Sequence, residues 1–326
     1  MSGGRPLLSV AVYTYNQERF VTETLDSLLP AGGKGASSEE DSLLLRDTEL
    51  VVSDDCSSDG TAGAVDDWME RYGARFSSCR LLRGERNEGP VRNYIRAVRG
   101  CSGEIIKPLA GDDLFRPGGL RAAVSAMTTR KEMKIAFGRV AEFSGRPAAE
   151  AREWTEEQRR FFAADVSEQF RTLVSFDPIP APGVLFRREL FESLRLWEHD
   201  FFWMEDWPLW LLATSSGFRI YGLEYPVVSY RIHAASLSQR MNTKGRERVR
   251  RGINADRRKM YDEIVLPRIS GLPLFLRHHV RLRRFFFFWL ERSKFPGLVH
   301  WVRSVSLLVD PHRLRRKIAG AVGRGA

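Results

Sequence analysis

The chain has 326 residues, 43% hydrophobic and 28% charged, with 27 Gly and 15 Pro. That mixture supports one large α/β domain, alone or with an appendage, and excludes a disordered, collagen-like or small disulfide-stapled protein. The net charge of +10 is unevenly spread: from Arg240 to Ala326 there are 22 Lys and Arg against 6 Asp and Glu, a balance of +16, which leaves residues 1–239 at −6. A mildly acidic body with a strongly basic last quarter points to a tail that meets something anionic, a membrane or a nucleic acid. Cys56, Cys79 and Cys101 are odd in number and lack CxxC spacing. They argue against a disulfide framework or zinc knuckle and fit a reducing compartment. No signal segment opens the chain and no apolar run reaches 18 residues, so the expected location is cytoplasmic.

The first 125 residues alternate between short apolar runs and one-sided helical stripes. Leu7–Tyr13 reads as a strand, and Val21, Leu25, Leu28 and Leu29 recur at helical spacing, with Asn16 available as a cap. Residues 30–48, rich in Gly and Ser, break the pattern and read as a mobile insertion. Glu49–Ser53 is the second strand, and Val65, Trp68, Met69 and Tyr72 make the next helix. Arg80–Arg83 is the third strand; Val91, Tyr94, Ile95 and Val98 repeat the helical stripe, and Ile105–Leu109 is the fourth strand, running into Gly111-Asp112-Asp113. Strands alternating with one-sided helices predict a mostly parallel sheet with helices on both faces. Beyond Ile135 the expected elements are a helix over Trp154–Leu173, a strand at Gly183–Phe186, a helix carrying Trp207, Trp210, Leu211 and Thr214, and a strand at Pro226–Arg231.

Open parallel sheets bind ligands at the carboxyl ends of their strands. Here those ends carry Thr14-Tyr15-Asn16, then Asp54-Asp55 with Ser57, Ser58, Asp59 and Gly60, then Asp112-Asp113. There is no GxGxxG and no GxxxxGK[ST], so neither a common dinucleotide site nor a P-loop is supported. Carboxylates converging on one sheet edge repel one another unless a cation joins them. A divalent metal carrying a phosphorylated ligand is the simplest guest, because Mg²⁺ and Mn²⁺ prefer carboxylate and phosphate oxygens. Taken alone, Asp55–Gly60 reads equally well as a capping turn.

The order of these pieces resembles a family 2 glycosyltransferase of the GT-A fold. Ser9-Val-Ala-Val-Tyr-Thr-Tyr-Asn16 with Thr24, Leu25, Ser27, Leu28 and Leu29 is similar to the family's opening strand and helix. Val51-Val-Ser-Asp54-Asp55-Cys-Ser57-Ser-Asp59-Gly60-Thr61 resembles its nucleotide-binding turn, and Asn87-Glu-Gly89, Arg92-Asn93 and Gly103-Glu104 resemble the approach to its metal motif. The match covers roughly residues 7–240. It implies an inverting transferase that uses a nucleotide-sugar, with UDP-sugar the expected donor, and a divalent metal, Mg²⁺ or Mn²⁺. By the resemblance Asp54 accepts a hydrogen bond from uracil, Tyr15 lies against the base and Arg92 sits near the nucleotide or diphosphate. Asp112 and Asp113 occupy the DxD-type metal position, with Ala110 where a further Asp often stands.

In the second half, Phe202-Trp-Met-Glu205-Asp206-Trp207 resembles the family's Glu-Asp motif. Asp206 is thereby the expected general base, taking the acceptor hydroxyl proton as it attacks the anomeric carbon. The alternative is that Glu205 and Asp206 only favour a helix N-terminus. Tyr230-Arg231-Ile-His233 resembles the closing motif; His233 either completes the metal's coordination or is a structural histidine. Pro178-Ile-Pro180-Ala-Pro182-Gly183 is a stiff extended stretch, expected to wall the acceptor cleft, and Lys107 is expected to balance charge near Asp112.

Residues 272–317 interleave Arg with Phe, Trp and Leu, the composition of a helix lying in the headgroup layer of an anionic membrane. The rival readings are a helical appendage packed on the catalytic domain and a nucleic-acid contact, the least favoured. The boundaries expected are a catalytic domain over 1–240 and a basic, aromatic-rich helical appendage over 241–326. The function so read is transfer of a sugar to a growing or lipid-linked glycan of a bacterial surface polysaccharide or lipopolysaccharide, on the inner face of the cytoplasmic membrane. The alternatives are a nucleotidyltransferase, which would want a Gly-rich basic first loop, and a non-catalytic nucleotide-sugar or nucleic-acid binder.

Overall fold

The computed structural model describes residues 5–30, 39–145, 151–233, 246–271 and 274–292. One sheet of eight strands runs in the order β3-β2-β1-β4-β7-β6-β8-β5. The strands are β1 (Leu8–Thr14), β2 (Thr48–Asp54), β3 (Ser78–Arg83), β4 (Ile105–Ala110), β5 (Leu114–Phe115), β6 (Ile135–Phe143), β7 (Val184–Arg187) and β8 (Ile220–Arg231). β1 pairs in parallel with β2 on one side and β4 on the other, and β2 pairs in parallel with β3. β7 is antiparallel to both β4 and β6, while β6 and β8 are parallel. The chain thus leaves β1 in one direction for β2 and returns on its other side for β4, which opens a crevice between their carboxyl ends.

Burial on both faces explains why these strands read as near-continuous apolar runs. Leu8, Val10 and Val12 face a cluster with Leu50, Val52, Ile105 and the helices α1 (Glu18–Asp26), α3 (Thr61–Tyr72) and α5 (Pro117–Thr129). The intervening Ala11, Val51 and Ile106 face the opposite cluster, with Val91, Tyr94 and Val98 of α4 (Pro90–Gly100). The period-2 alternation of side chains deals neighbouring residues to opposite layers.

Residues 30–48, expected as a mobile insertion, contain helix α2 (Glu39–Arg46) and the first residue of β2; residues 31–38 lie outside the described residues. Three acids open α2 and Arg46 closes it, in keeping with the helix dipole. The single helix expected over Trp154–Leu173 is two, α6 (Glu156–Ala163) and α7 (Val166–Ser175). Thr155 and Gln158 form a capping box on α6, and Asp165 accepts the Glu168 N–H to cap α7, so the chain must turn extended at Ala164. α8 (Arg188–Leu194) and α9 (Asp206–Ser215) follow. Trp207 through Thr214 are all buried, so α9 is a core helix on every side and not only along its Trp face.

The basic C-terminal region does not stand apart. In α10 (Arg246–Met260), the turns after it and α11 (Leu274–Arg292), residues Val249, Ile253, Met260, Tyr261, Ile264, Val265, Leu276 and Val280 join the same apolar cluster as α4, α7 and α9. Residues 234–245 and 293–326 of the expected closing motif and tail lie outside the described residues.

Candidate active site

The loops after β1 and β2 are laced together. Asn16, with φ 52°, donates its N–H to Ser57 Oγ (2.8 Å) while its Oδ1 accepts the Ser58 N–H (2.8 Å). Gln17 N donates to Thr61 Oγ1 (2.8 Å), and Gly60 N to Glu18 Oε2 (3.0 Å). Asn16 was expected to cap α1; instead Gln17 holds the cap position and Asn16 joins the two loops. Tyr15, beside this seam, is 45% exposed and free to meet a flat ring.

The two acids ending β2 have separate tasks. Asp54 accepts from Ser57 N (2.9 Å) and Ser57 Oγ (2.5 Å) and is 3% exposed. Asp55 accepts from Glu88 N (3.1 Å), Gly89 N (2.8 Å) and Arg96 (3.2 Å), which pins the segment entering α4. Arg96 also reaches Ser53 Oγ (2.8 Å), the Asp54 carbonyl (3.0 Å) and Asn93 Oδ1 (3.0 Å). Arg92, the expected nucleotide contact, is half-exposed and paired with Asp200 (2.9 Å) on the segment before Glu205. One helical turn separates the two arginines, and the sequence holds no feature that tells which of them faces β2.

At the end of β4 the acid pair also divides. Asp113 is 2% exposed, and its Oδ1 accepts the Arg231 N–H of β8 (2.8 Å). Burial, then the neighbouring Asp112, pushes its carboxyl well above the carboxylate range. Asp112 turns the other way: its Oδ2 lies 2.9 Å from His233 Nε2. Arg231 fixes this geometry by donating to the Asp112 carbonyl (2.8 Å) and to Glu23 (2.6 Å). Of the three expected metal ligands, Asp112 and His233 converge, whereas Asp113 braces the strand behind them.

Two buried side-chain oxygens beside this turn, Thr14 Oγ1 and Gln17 Oε1, have no hydrogen-bond partner. A Cβ on Gly111 would lie 2.7 Å from the Gln17 oxygen and 3.0 Å from that of Thr14, so glycine keeps the spot open. Buried oxygens left without a partner are costly, and water or an oxygen-bearing ligand group at this spot would satisfy them. Among the described residues no cluster of three or more His, Cys, Asp or Glu side chains is arranged to hold a metal. One carboxylate, completed by phosphate oxygens and water, nevertheless fits the way Mg²⁺ or Mn²⁺ is held with a diphosphate, and the imidazole stands beside it. Lys107, fully buried, donates to the Pro108 (2.9 Å) and Pro182 (2.5 Å) carbonyls, and burial lowers its amine to about 7. It ties the proline stretch to β4 besides facing the charge of Asp113.

A second acidic group gathers at the start of α9. Asp206 opens α9, with Oδ1 accepting the Trp207 N–H (2.7 Å). Burial raises both Asp206 and Glu205, the latter to about 8, with each other's proximity adding to Glu205. Asp177, at the head of the proline stretch, is the residue the sequence reading missed. Its Oδ1 accepts the Ile179 N–H (2.9 Å), and burial followed by Asp206 raises its carboxyl well above the ordinary range. Nothing in the sequence pairs positions 177 and 206; the packing of α7 on α9 does. Asp256 of α10 secures the approach, its Oδ2 accepting from Phe202 (3.1 Å), Trp203 (2.6 Å) and Met204 (3.2 Å). Tyr13, at the end of β1, feels both groups: burial, then Glu205 and Tyr94, and then Asp113 and Asp112 push its hydroxyl up.

The structure thus sets the Asp112–His233 pair at the end of β4 and buried carboxyls of raised proton affinity at the start of α9. Comparison with known proteins identifies the family. The model of glycosyl transferase family 2 matches residues 9–195. TuaG of Bacillus subtilis, named as a teichuronic acid biosynthesis glycosyltransferase, is 23% identical over 238 residues, 73% of this chain and 84% of its own. The abequosyltransferase RfbV of Salmonella typhimurium is 29% identical over 114 residues, 35% of this chain. That alignment spans 30% of RfbV's length. Among solved structures, S. aureus TarS 1–349 with UDP-GlcNAc superposes at a TM-score of 0.51 with 17% identity, over 93% of this chain and 89% of that one. A mannosyltransferase of Pyrobaculum calidifontis in complex with GDP-Man and Mn²⁺ gives 0.55 and 18%, over 98% and 87%. At such identity the superpositions show the fold, a GT-A sheet. With the family model covering more than half of its length, the chain belongs to glycosyl transferase family 2 and is a glycosyltransferase.

Proposed function

We propose that the enzyme moves a sugar with inversion from a nucleotide-sugar, a UDP-sugar by the Asp54 and Tyr15 turn, to a hydroxyl of a growing or lipid-linked glycan. The observation that carries this reading is the 2.9 Å pairing of Asp112 with His233 just beyond β4, with the acids Glu205 and Asp206 acting electrostatically on the neighbouring Tyr13 and Tyr94. Asp112 and His233 would hold a divalent cation, Mg²⁺ or Mn²⁺, with Asp113 bracing them, and such a cation would supply Lewis-acid stabilisation of the diphosphate leaving group. Asp206 takes the proton of the acceptor hydroxyl, and burial raises its proton affinity above that of an ordinary carboxylate. Tyr15 stacks on the base and Asp54 accepts from its ring N–H. Arg92 closes over the diphosphate by exchanging Asp200 for it. The relative named for teichuronic acid biosynthesis supports a bacterial surface polysaccharide as the product. The basic tail, residues 272–317, supports work at an anionic membrane surface on the cytoplasmic side, and nucleic acid is not a partner in this reading.

The test is Asp206→Asn. Donor binding stays within about twofold while turnover falls by about 10³ or more, the loss expected when a positioned general base is removed. Near wild-type turnover would remove Asp206 from the mechanism.

A further inference from the structure

Large apolar side chains standing in solvent are few among the described residues, and half of those are in α11. Leu274 is 69% exposed, Phe275 51%, Leu282 42% and Phe285 56%; the other four, Tyr15, Leu43, Phe202 and Tyr225, are scattered. Positions 274, 275, 278, 281, 282 and 285 are all exposed, and they recur at the spacing of one helix face. Leu276, His279 and Val280, on the other side, are buried against the domain. The helix is therefore amphipathic in an unusual sense, with apolar residues on both the packed and the open side.

The arginines distinguish the two sides. Arg283 donates to the Ser175 carbonyl at the end of α7, Arg284 pairs with Asp262, and Arg277 donates to the Ser270 carbonyl. Those three are committed to the protein. Arg281 and His278 stand on the exposed face among the apolar side chains. No acidic residue occurs from Gly271 to Leu290, and the last quarter of the chain carries a balance of +16. An exposed apolar face with Arg in its midst and no carboxylate of the helix's own before Glu291 is complementary to anionic lipid: the apolar residues enter the acyl boundary while the cations meet headgroup phosphates.

We propose that Leu274, Phe275, Leu282 and Phe285, with Arg281, form the surface by which the protein docks on an anionic membrane. The tail's Arg283 and Arg284 instead fasten the helix to the catalytic domain. This deepens the membrane reading of residues 272–317 by naming the face, and it is independent of the transfer chemistry.

The experiment is co-flotation of the full chain with vesicles of phosphatidylcholine alone or mixed with an equal amount of phosphatidylglycerol. Wild type floats with the mixed vesicles and not with phosphatidylcholine. Replacing Leu274, Phe275, Leu282 and Phe285 together by Ser cuts that binding at least tenfold without moving the melting temperature in the absence of lipid. Arg281→Glu, which leaves the apolar residues in place, lowers it severalfold. If wild type binds neither vesicle, the membrane reading itself fails. If wild type binds and the Ser variant binds equally, the docking face is elsewhere, in residues 293–326, and this proposal is overturned. A Ser variant that changes oligomeric state or loses thermal stability without lipid overturns it as well, since the face then covers protein.

Discussion

His233 and Asp112 lie 121 residues apart in sequence and 2.9 Å apart in the fold, so each should matter through the other. His233→Ala and Asp112→Asn are expected to raise the Mn²⁺ concentration needed for half-maximal activity by tenfold or more, while Asp113→Ala, which leaves the Arg231 N–H without its acceptor, chiefly lowers stability. Metal titration of the three variants, with melting temperatures beside it, separates the roles. Glu205 makes a prediction about pH. Its folded-state value of about 8 lies above the ordinary 4.5, so neutral Glu205 favours the folded state. That stability is full below pH of about 4.5 and is lost as pH rises through about 8. Glu205→Gln should remove this decline, read as a flatter profile of melting temperature against pH without metal. Turnover runs the opposite way, climbing through neutral pH as the Glu205–Asp206 pair loses its proton. The positions of Asp54 and Asp112 at strand ends and of Asp206 at a helix start were legible in the sequence because each belongs to a short ordered motif. Asp177 was not, since its meaning comes only from α7 packing on α9. The split between Asp112 and Asp113 was equally hidden, because the partner of Asp113 is a backbone N–H on a strand more than a hundred residues away.

Elements carry these side chains to the cleft, and two joints stand out. Gly89 caps α4 at φ 94°, and a Cβ there would lie 2.6 Å from Phe202 Cζ. Gly89→Ala should therefore cost about 2 kcal/mol or more, from the left-handed backbone together with displacement of Phe202. Asp256 collects three backbone N–H groups from the segment entering Glu205. Asp256→Ala leaves these donors without their carboxylate and should destabilise the fold by about 3 kcal/mol, with turnover falling more than donor affinity. Urea unfolding and steady-state kinetics measure the two effects. The strands of the first half were readable from apolar runs, and α1, α3 and α4 from one-sided stripes. The break between α6 and α7 was not, since a continuous apolar period hides a cap until Asp165 is seen to accept the Glu168 N–H. α2 escaped notice because Gly and Ser before it dominate the composition of residues 30–48.

For the whole molecule, the reversal of strand order around β1 brings the β1, β2 and β4 ends to one crevice, while α10 and α11 close the apolar cluster behind α4 and α9. The sequence marked the charge step near residue 240 clearly, but a charge step is a surface property. Val249, Ile253, Tyr261 and Ile264 show that the core runs past it. A chain ending at 240 should accordingly aggregate, for it exposes the apolar side of α7 and α9. The central claim, a metal-assisted nucleotide-sugar site at that crevice, is tested most directly by thermal shift. UDP-, dTDP- and GDP-sugars are each added with Mn²⁺ and with EDTA. A ligand at a hundred times its Kd stabilises the native state by about 2.7 kcal/mol, a shift of a few degrees for a chain of this size. The account predicts a rise with a UDP-sugar and Mn²⁺ that disappears in EDTA. No rise with any donor, or one that EDTA leaves intact, would contradict it.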